Sequence, residues 1–238
     1  MAPNSRFEQL PVETKQAIFS SLTDIASLRA AVLTCSSLYH AFKNAEDLIT
    51  ASVMLNEIDI DVLPEAFIAH ASETWTQNTL FAAEHLQSRQ PVSPKARFKI
   101  SELIHLGKTA QYVNYFAKDF AEKALLEMVI AVRMGNQYQK FGDGPSSRVA
   151  SREEMNRIKR ALYMFEIHCN ICSSLSQSQP VQAQFHGAPA VIFCRRFSPW
   201  ENEQLASVYD YLFSIVAPGI RSLSLSAMTF ILINMSSF

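Results

Sequence analysis

The apolar side chains of this chain recur at the spacing of an α-helix, and this pattern restricts the possible fold more than any other feature. In the middle of the chain the apolar positions three or four residues apart are Leu103, Leu106, Ala110, Val113, Ala117, Phe120 and Ala124. This spacing predicts a long amphipathic helix that ends before Gly135. The chain has only 6 glycines in 238 residues, which argues against a β-rich fold with many tight turns. The predicted fold class is all-α.

Short polar motifs mark where several helices should begin. Ser151 followed by Glu154, and Ser198 followed by Glu201, are capping boxes, in which each side chain can satisfy a free amide of the first turn. Pro199 suits the first helical position, where no amide donor is needed. Asp24 is a candidate cap for an earlier helix. We therefore expect helices to start at these three places.

The N-terminal quarter of the chain predicts several short helices. The first spans Leu10 to Leu22, the second follows Asp24, and further ones contain Leu38 with Phe42 and the run from Ala45 to Leu55. Helices of about ten residues are marginal in water on their own. They must therefore pack on one another or on a partner.

The spaced residues of this region resemble the F-box, a three-helix motif. The resemblance is carried by Leu10-Pro11-Val12-Glu13, Ile18-Phe19, Leu22, Leu28, Cys35, Leu38 and Phe42. Arg6-Phe7 and the run from Tyr39 to Phe42 resemble fungal members of the family, and the helical region that follows resembles them more weakly. The resemblance implies that the first helices bind the Skp-type adaptor of a cullin-RING ubiquitin ligase. The partner-binding residues it implies are Leu10, Pro11, Ile18, Leu22, Leu28, Cys35, Leu38 and Phe42. An ordinary small helical hairpin is the alternative interpretation.

The expected organisation has three parts. Residues 7–56 form the F-box-like module, residues 57–221 form an irregular helical domain that binds the substrate, and residues 222–238 form an apolar tail. The tail is either tucked into a core, disordered, or not native because of misread coding sequence. Two polar loops, Gly135 to Arg148 and Ser176 to Pro189, are the expected substrate contacts, with disordered connections as the alternative.

The resemblance implies a non-catalytic substrate receptor of an SCF-type ubiquitin ligase, with an adaptor, a cullin scaffold and an unknown protein substrate as partners. The alternative is a helical interaction module that uses the F-box fold outside a ligase, and a third possibility is a zinc-stabilised or hydrolytic enzyme. The formal net charge of -1 does not favour nucleic acid, and no stretch approaches the ~20 apolar residues of a membrane span. Reduced cysteines in the cytoplasm or nucleus are the simplest interpretation.

His168, Cys169 and Cys172 could contribute to a zinc site with His186 and Cys194 as further ligands. The Cys-x-x-Cys pair instead lies on the apolar face of a predicted helix, which favours buried, reduced, metal-free thiols. No cofactor and no metal are therefore predicted.

Four aromatic residues, Tyr112, Tyr115, Phe116 and Phe120, could line a ligand groove. Their helical spacing favours a place in the core.

Overall fold

The computed structural model describes residues 7–74, 100–135, 149–176, 194–195 and 197–220 of the chain. Within these ranges it contains eight α-helices and no strand, which confirms the all-α prediction. The helices are α1 (Val12–Ser20), α2 (Ile25–Val32), α3 (Ser36–Lys43), α4 (Glu46–Glu57), α5 (Leu63–Ser72), α6 (Ile100–Gly135), α7 (Arg152–Ser176) and α8 (Pro199–Ile220).

The described residues belong to two compact units. The first unit comprises those of Met1–His70 and Arg89–Tyr115, and the second comprises those of Ala71–Ser88 and Phe116–Phe238. The predicted module of residues 7–56 therefore shares its unit with most of α5 and with the first part of α6. The boundary predicted at residue 56 does not coincide with a boundary of these units.

The first unit is built on the short N-terminal helices. α1 packs against α3 and α4, and α2 packs against the same two helices. The Asp24 side chain accepts a hydrogen bond of 2.7 Å from the Ser27 amide, which confirms the predicted cap of α2. Pro11 is the residue directly before α1. The large apolar core residues of this unit are Phe19, Ile25, Leu28, Val32, Leu38, Phe42, Ile49, Val53, Met54, Ile58, Val62, Leu63, Leu103, Leu106 and Val113.

Gly107 allows α6 to come very close to the start of α2. A Cβ atom at this position would lie 3.1 Å from Cβ and Cδ1 of Ile25 and 3.3 Å from Oε2 of Glu57. Such distances are shorter than ordinary van der Waals contacts, so a side chain here would push against the core. The absence of a Cβ is therefore what permits this packing.

In the second unit α7 packs against α8. Both predicted capping boxes are confirmed: the Glu154 carboxylate accepts from the Ser151 amide at 2.7 Å, and the Glu201 carboxylate accepts from the Ser198 amide at 2.9 Å. Tyr211 of α8 donates a hydrogen bond to the Asp119 carboxylate, and its ring meets that of Phe120 edge-on at 5.1 Å. The large buried residues of this unit are Leu162, Tyr163, Met164, Ile167, Leu205, Val208 and Tyr211.

Several sequence predictions lie wholly or mainly outside the described residues. They are the two polar loops after Gly135 and Ser176, the apolar tail of residues 222–238, and the candidate ligand His186. Among the helices that the structure describes, none is both long enough and apolar enough to cross a bilayer.

Candidate partner-binding surface

Three of the eight predicted partner-binding residues are buried in the core of the first unit. Leu28, Leu38 and Phe42 are 0%, 4% and 1% exposed, and they pack in the core formed by α1 to α4. Their apolar surface is already covered by the chain itself, so a partner could not contact them without opening the unit. These three residues hold the module together in this structure.

The other five predicted residues reach the surface. Pro11 is exposed, and Leu10, Ile18, Leu22 and Cys35 are half-buried. Pro11 lies directly before α1, Ile18 lies within it, and Leu22 lies two residues after its end. Leu10 directly precedes Pro11, whereas Cys35 is the residue before α3. We call Leu10, Pro11, Ile18 and Leu22 the Leu-Pro surface.

The start of the Leu-Pro surface is held by a buried lysine. The Lys15 ammonium donates to the Glu8 carbonyl oxygen and to the Ser37 hydroxyl, both at 2.8 Å, and the residue is only 4% exposed. The Leu10 amide donates to the Phe7 carbonyl at 3.3 Å. Lys15 thereby links the segment before α1 to the first turn of α3.

The far end of the Leu-Pro surface is held by an asparagine from α4. Asn56 Nδ2 donates to the carbonyl oxygens of Ser20 and Leu22, at 3.0 and 2.8 Å. These carbonyls follow the last helical bonds of α1 and need an outside donor. Gln16 Nε2 likewise donates to the Ala41 carbonyl at 3.0 Å and fastens α1 to α3.

Sequence reasoning did not identify Lys15 or Asn56 as important. A lysine in an amphipathic helix is normally solvated, and an asparagine near a helix end has many possible partners. Their hydrogen bonds join positions that are far apart in the chain: Glu8 and Ser37 in one case, α4 and the end of α1 in the other. No short sequence motif predicts hydrogen bonds between positions so far apart.

Glu57 places a carboxylate in the core of the first unit. Its Oε2 accepts a hydrogen bond of 3.0 Å from the Ile25 amide at the start of α2, while its buried Oε1 has no hydrogen-bond partner among the described residues. Burial raises the pKa of Glu57, and the negative charge of Asp24 raises it further, although the Ile25 amide acts in the opposite direction. Glu57 is therefore a cap for α2 whose ionised form is poorly stabilised.

The thiols of α7 lie beside a histidine. Cys172 Sγ is 3.6 Å from His168 Nε2, and all four cysteines of the chain are free and half-buried. Burial raises the pKa of Cys169 to about 12 and also raises that of Cys172. Burial lowers the pKa of His168. This environment favours protonated thiols and neutral imidazole.

The cysteine region offers no metal site within the described residues. No group of three or more His, Cys, Asp or Glu side chains is placed there to hold an ion, and His186 lies outside those residues. The prediction that Cys169 and Cys172 would be buried is too strong, because both are only partly covered.

Two of the four aromatic residues on α6 are not in the core. Tyr112 and Tyr115 are each 67% exposed, which makes the core prediction wrong for them. Phe116 and Phe120 are half-buried.

Comparisons of this chain with protein-family models, with curated proteins and with solved structures return no match.

Proposed function

We propose that this chain is a substrate receptor of an SCF-type ubiquitin ligase and that the Leu-Pro surface binds the Skp-type adaptor. The observation that carries the proposal is the division of the F-box-like residues into two sets. Leu28, Leu38 and Phe42 are buried in the core, whereas Leu10, Pro11, Ile18 and Leu22 remain at least partly exposed in α1 or close to its ends. A packed helical core that leaves several apolar residues uncovered in and beside one helix has the arrangement of a docking surface.

The chemistry of the Leu-Pro surface fits a protein partner. The core of a protein interface is apolar and depleted in charge, and its energy is concentrated in a few well-covered side chains. Val12, the first residue of α1, is also exposed and adds apolar surface next to Pro11.

The role in a ligase would be one of proximity. One surface holds the adaptor, another holds the target, and ubiquitin transfer takes place on other subunits, so the receptor raises the effective concentration of the target. The helical region of residues 57–221 is the proposed source of target recognition. A helical interaction protein outside a ligase would share the same module and would differ in not binding the adaptor.

A binding measurement with a purified Skp-type adaptor tests the proposal. The double variant Leu10→Ala with Pro11→Ala should raise the Kd at least about tenfold, as expected when central apolar contacts worth about 1.4 kcal/mol are lost. Calorimetric titration gives the Kd, and circular dichroism checks that the helix content is unchanged.

Leu48→Ala is the matched control, because Leu48 is an exposed leucine of α4 that has no part in the F-box pattern. It should bind the adaptor like the wild type. If the wild type does not bind, or if the double variant binds equally well, the assignment of the Leu-Pro surface is wrong.

A further inference from the structure

We propose that Lys15 is a positioning residue for adaptor binding, and that its buried ammonium fixes the segment that carries Leu10 and Pro11 against α3. This inference rests on the proposed function, and it concerns a residue that is only 4% exposed and so has almost no surface with which to contact the adaptor. Lys15 would act through the two contact residues that precede it.

The geometry joins three separate parts of the module. The Lys15 side chain leaves α1 and donates to the Glu8 carbonyl on one side and to the Ser37 hydroxyl on the other. Glu8 stands two residues before Leu10, and Ser37 lies in the first turn of α3. The position of the Leu-Pro segment is thereby tied to a helix that comes later in the chain.

Energetic considerations indicate that the two hydrogen bonds of Lys15 fix the position of the segment more than they add to the free energy of unfolding. Burying a charged group is costly unless an opposite charge compensates it. Both described acceptors of Lys15 are neutral oxygens, and no carboxylate among the described residues forms an ion pair with it. An apolar side chain of similar length could fill the same space at little net cost, because it removes a buried charge together with its hydrogen bonds.

The benefit would instead appear on binding. A segment that must be ordered by its partner loses affinity by the free energy of that ordering, whereas a segment already held in place does not. Few backbone hydrogen bonds hold the chain near Leu10. The Leu10 amide donates to the Phe7 carbonyl at 3.3 Å, and the Lys15 backbone amide donates to the Pro11 carbonyl at 3.1 Å. The Lys15 ammonium supplies the long-range restraint that this short turn lacks.

Three variants of the full chain test the inference. Lys15→Met keeps the length of the side chain but removes its charge and donors. Ser37→Ala removes one acceptor, and Ser37→Thr restores a hydroxyl at the same place. Lys108→Met serves as the control, because Lys108 is an exposed lysine of the same unit.

The measurements are hydrogen exchange at the Leu10 amide, the Kd for a Skp-type adaptor, and the thermal midpoint. In Lys15→Met we expect exchange and Kd each to rise about tenfold, with the midpoint shifting by less than about 3 °C. Ser37→Ala should give a smaller rise of about threefold in both, and Ser37→Thr should return both to the wild-type values. Lys108→Met should change none of the three.

Each other outcome overturns the inference and says why. A fall in thermal midpoint with unchanged Leu10 exchange would make Lys15 an ordinary structural residue. Faster exchange with an unchanged Kd would show that the restraint exists but does not serve binding. If the wild type failed to bind the adaptor, both proposals would be wrong, and the exchange data alone would still report whether Lys15 orders the segment.

Discussion

At the scale of single residues, Glu57 is an ionisable group with unfavourable surroundings in the first unit. It caps α2 through the Ile25 amide, yet one of its oxygens is buried without a hydrogen-bond partner among the described residues. Its pKa is raised mainly by burial. The hydrogen bond from the Ile25 amide favours the carboxylate, but burial favours the protonated form and outweighs it, and this gives stability a definite pH dependence.

We expect Glu57→Gln to be more stable than the wild type at pH 7 and nearly equal to it at pH 4. A carboxyl whose pKa is higher in the folded state contributes stability that is present below its unfolded pKa of about 4.3 and is lost as the pH rises through the folded pKa. Glutamine keeps an oxygen that can accept from Ile25 but cannot ionise. Urea unfolding of both proteins between pH 4 and 8 measures the difference.

The control for this experiment is Glu13→Gln, which removes an exposed carboxylate from α1. Its stability should run parallel to that of the wild type over the same pH range. The wild type should lose stability as the pH rises towards 8, because Glu57 ionises. If Glu57→Gln lost stability in the same way, the ionisation of Glu57 would not be the cause.

The role of a single residue could be predicted from the sequence only where its contacts lie within a few residues of it in the chain. The Asp24 cap could be predicted from its own sequence neighbourhood, and the structure confirms it. The exposure of Tyr112 and Tyr115 could not, because a helical stripe has two edges and the spacing does not say which neighbours cover them. The line Leu103, Leu106, Ala110, Val113 and Ala117 took the buried side of α6 instead.

At the scale of elements, α7 presents its thiols in a setting that suppresses their reactivity. The nucleophile in alkylation is the thiolate, and a pKa of about 12 for Cys169 leaves very little thiolate at neutral pH. Burial acts on Cys172 and Cys194 in the same direction. The histidine beside Cys172 does not counteract this, since burial favours its neutral form.

We predict that iodoacetamide labels Cys169 slowly at pH 7.5 in the native protein and that the rate rises steadily up to pH 10. Mass spectrometry of timed samples gives the rate for each cysteine separately. Labelling in 6 M guanidinium provides the control, because there all four thiols should react at similar rates. Rapid native labelling of Cys169 that is independent of pH above 7 would mean that a thiolate is already present.

The starts of α7 and α8 were predictable because each capping box lies within four consecutive residues. The burial of α7 was less predictable. Cys169 and Cys172 share the face of Leu162, yet Leu162 is buried while the two thiols remain partly uncovered. Sequence spacing shows which residues share a face of a helix. How deeply each is buried depends on how far the neighbouring helix extends along that face.

At the scale of the whole molecule, the N-terminal helices of residues 7–56 depend on later parts of the chain for their packing. The second of these helices is capped by Glu57 and lies against Gly107, and the Glu57 carbonyl also accepts a hydrogen bond from Asn114 at 3.5 Å. All three of these residues lie beyond residue 56. Sequence reasoning located these helices, but the residues that complete their core come from a segment with no motif of its own.

We therefore expect a fragment of residues 1–56 to fold poorly and a fragment of residues 1–115 to fold cooperatively. The short fragment would lose the cap of α2 and expose part of the core that α6 covers, and helices of 8 to 12 residues cannot persist without packing. Thermal unfolding followed by circular dichroism distinguishes the two cases. A sharp transition in the short fragment at the wild-type midpoint would contradict this expectation.

The same dependence limits where the chain can be divided in a domain exchange. A junction at residue 56 would separate Glu57 from α2, the helix that it caps. If a graft of residues 57–238 then changed the set of bound proteins, the change could come from misfolding as well as from transferred specificity. A junction after Tyr115 keeps the first unit intact.

The contact between Ile25 and Gly107 also bears on how the chain leaves the ribosome. At a synthesis rate of roughly 5–20 residues per second, the interval between residues 70 and 107 lasts about two to seven seconds. Helical domains with local contacts fold in microseconds to milliseconds. The residues of the N-terminal helices are thus synthesised seconds before those of the helix that covers them, and their apolar side chains lack that cover during this interval. We expect a nascent-chain chaperone to bind the unfinished first unit during this interval, before its core has closed.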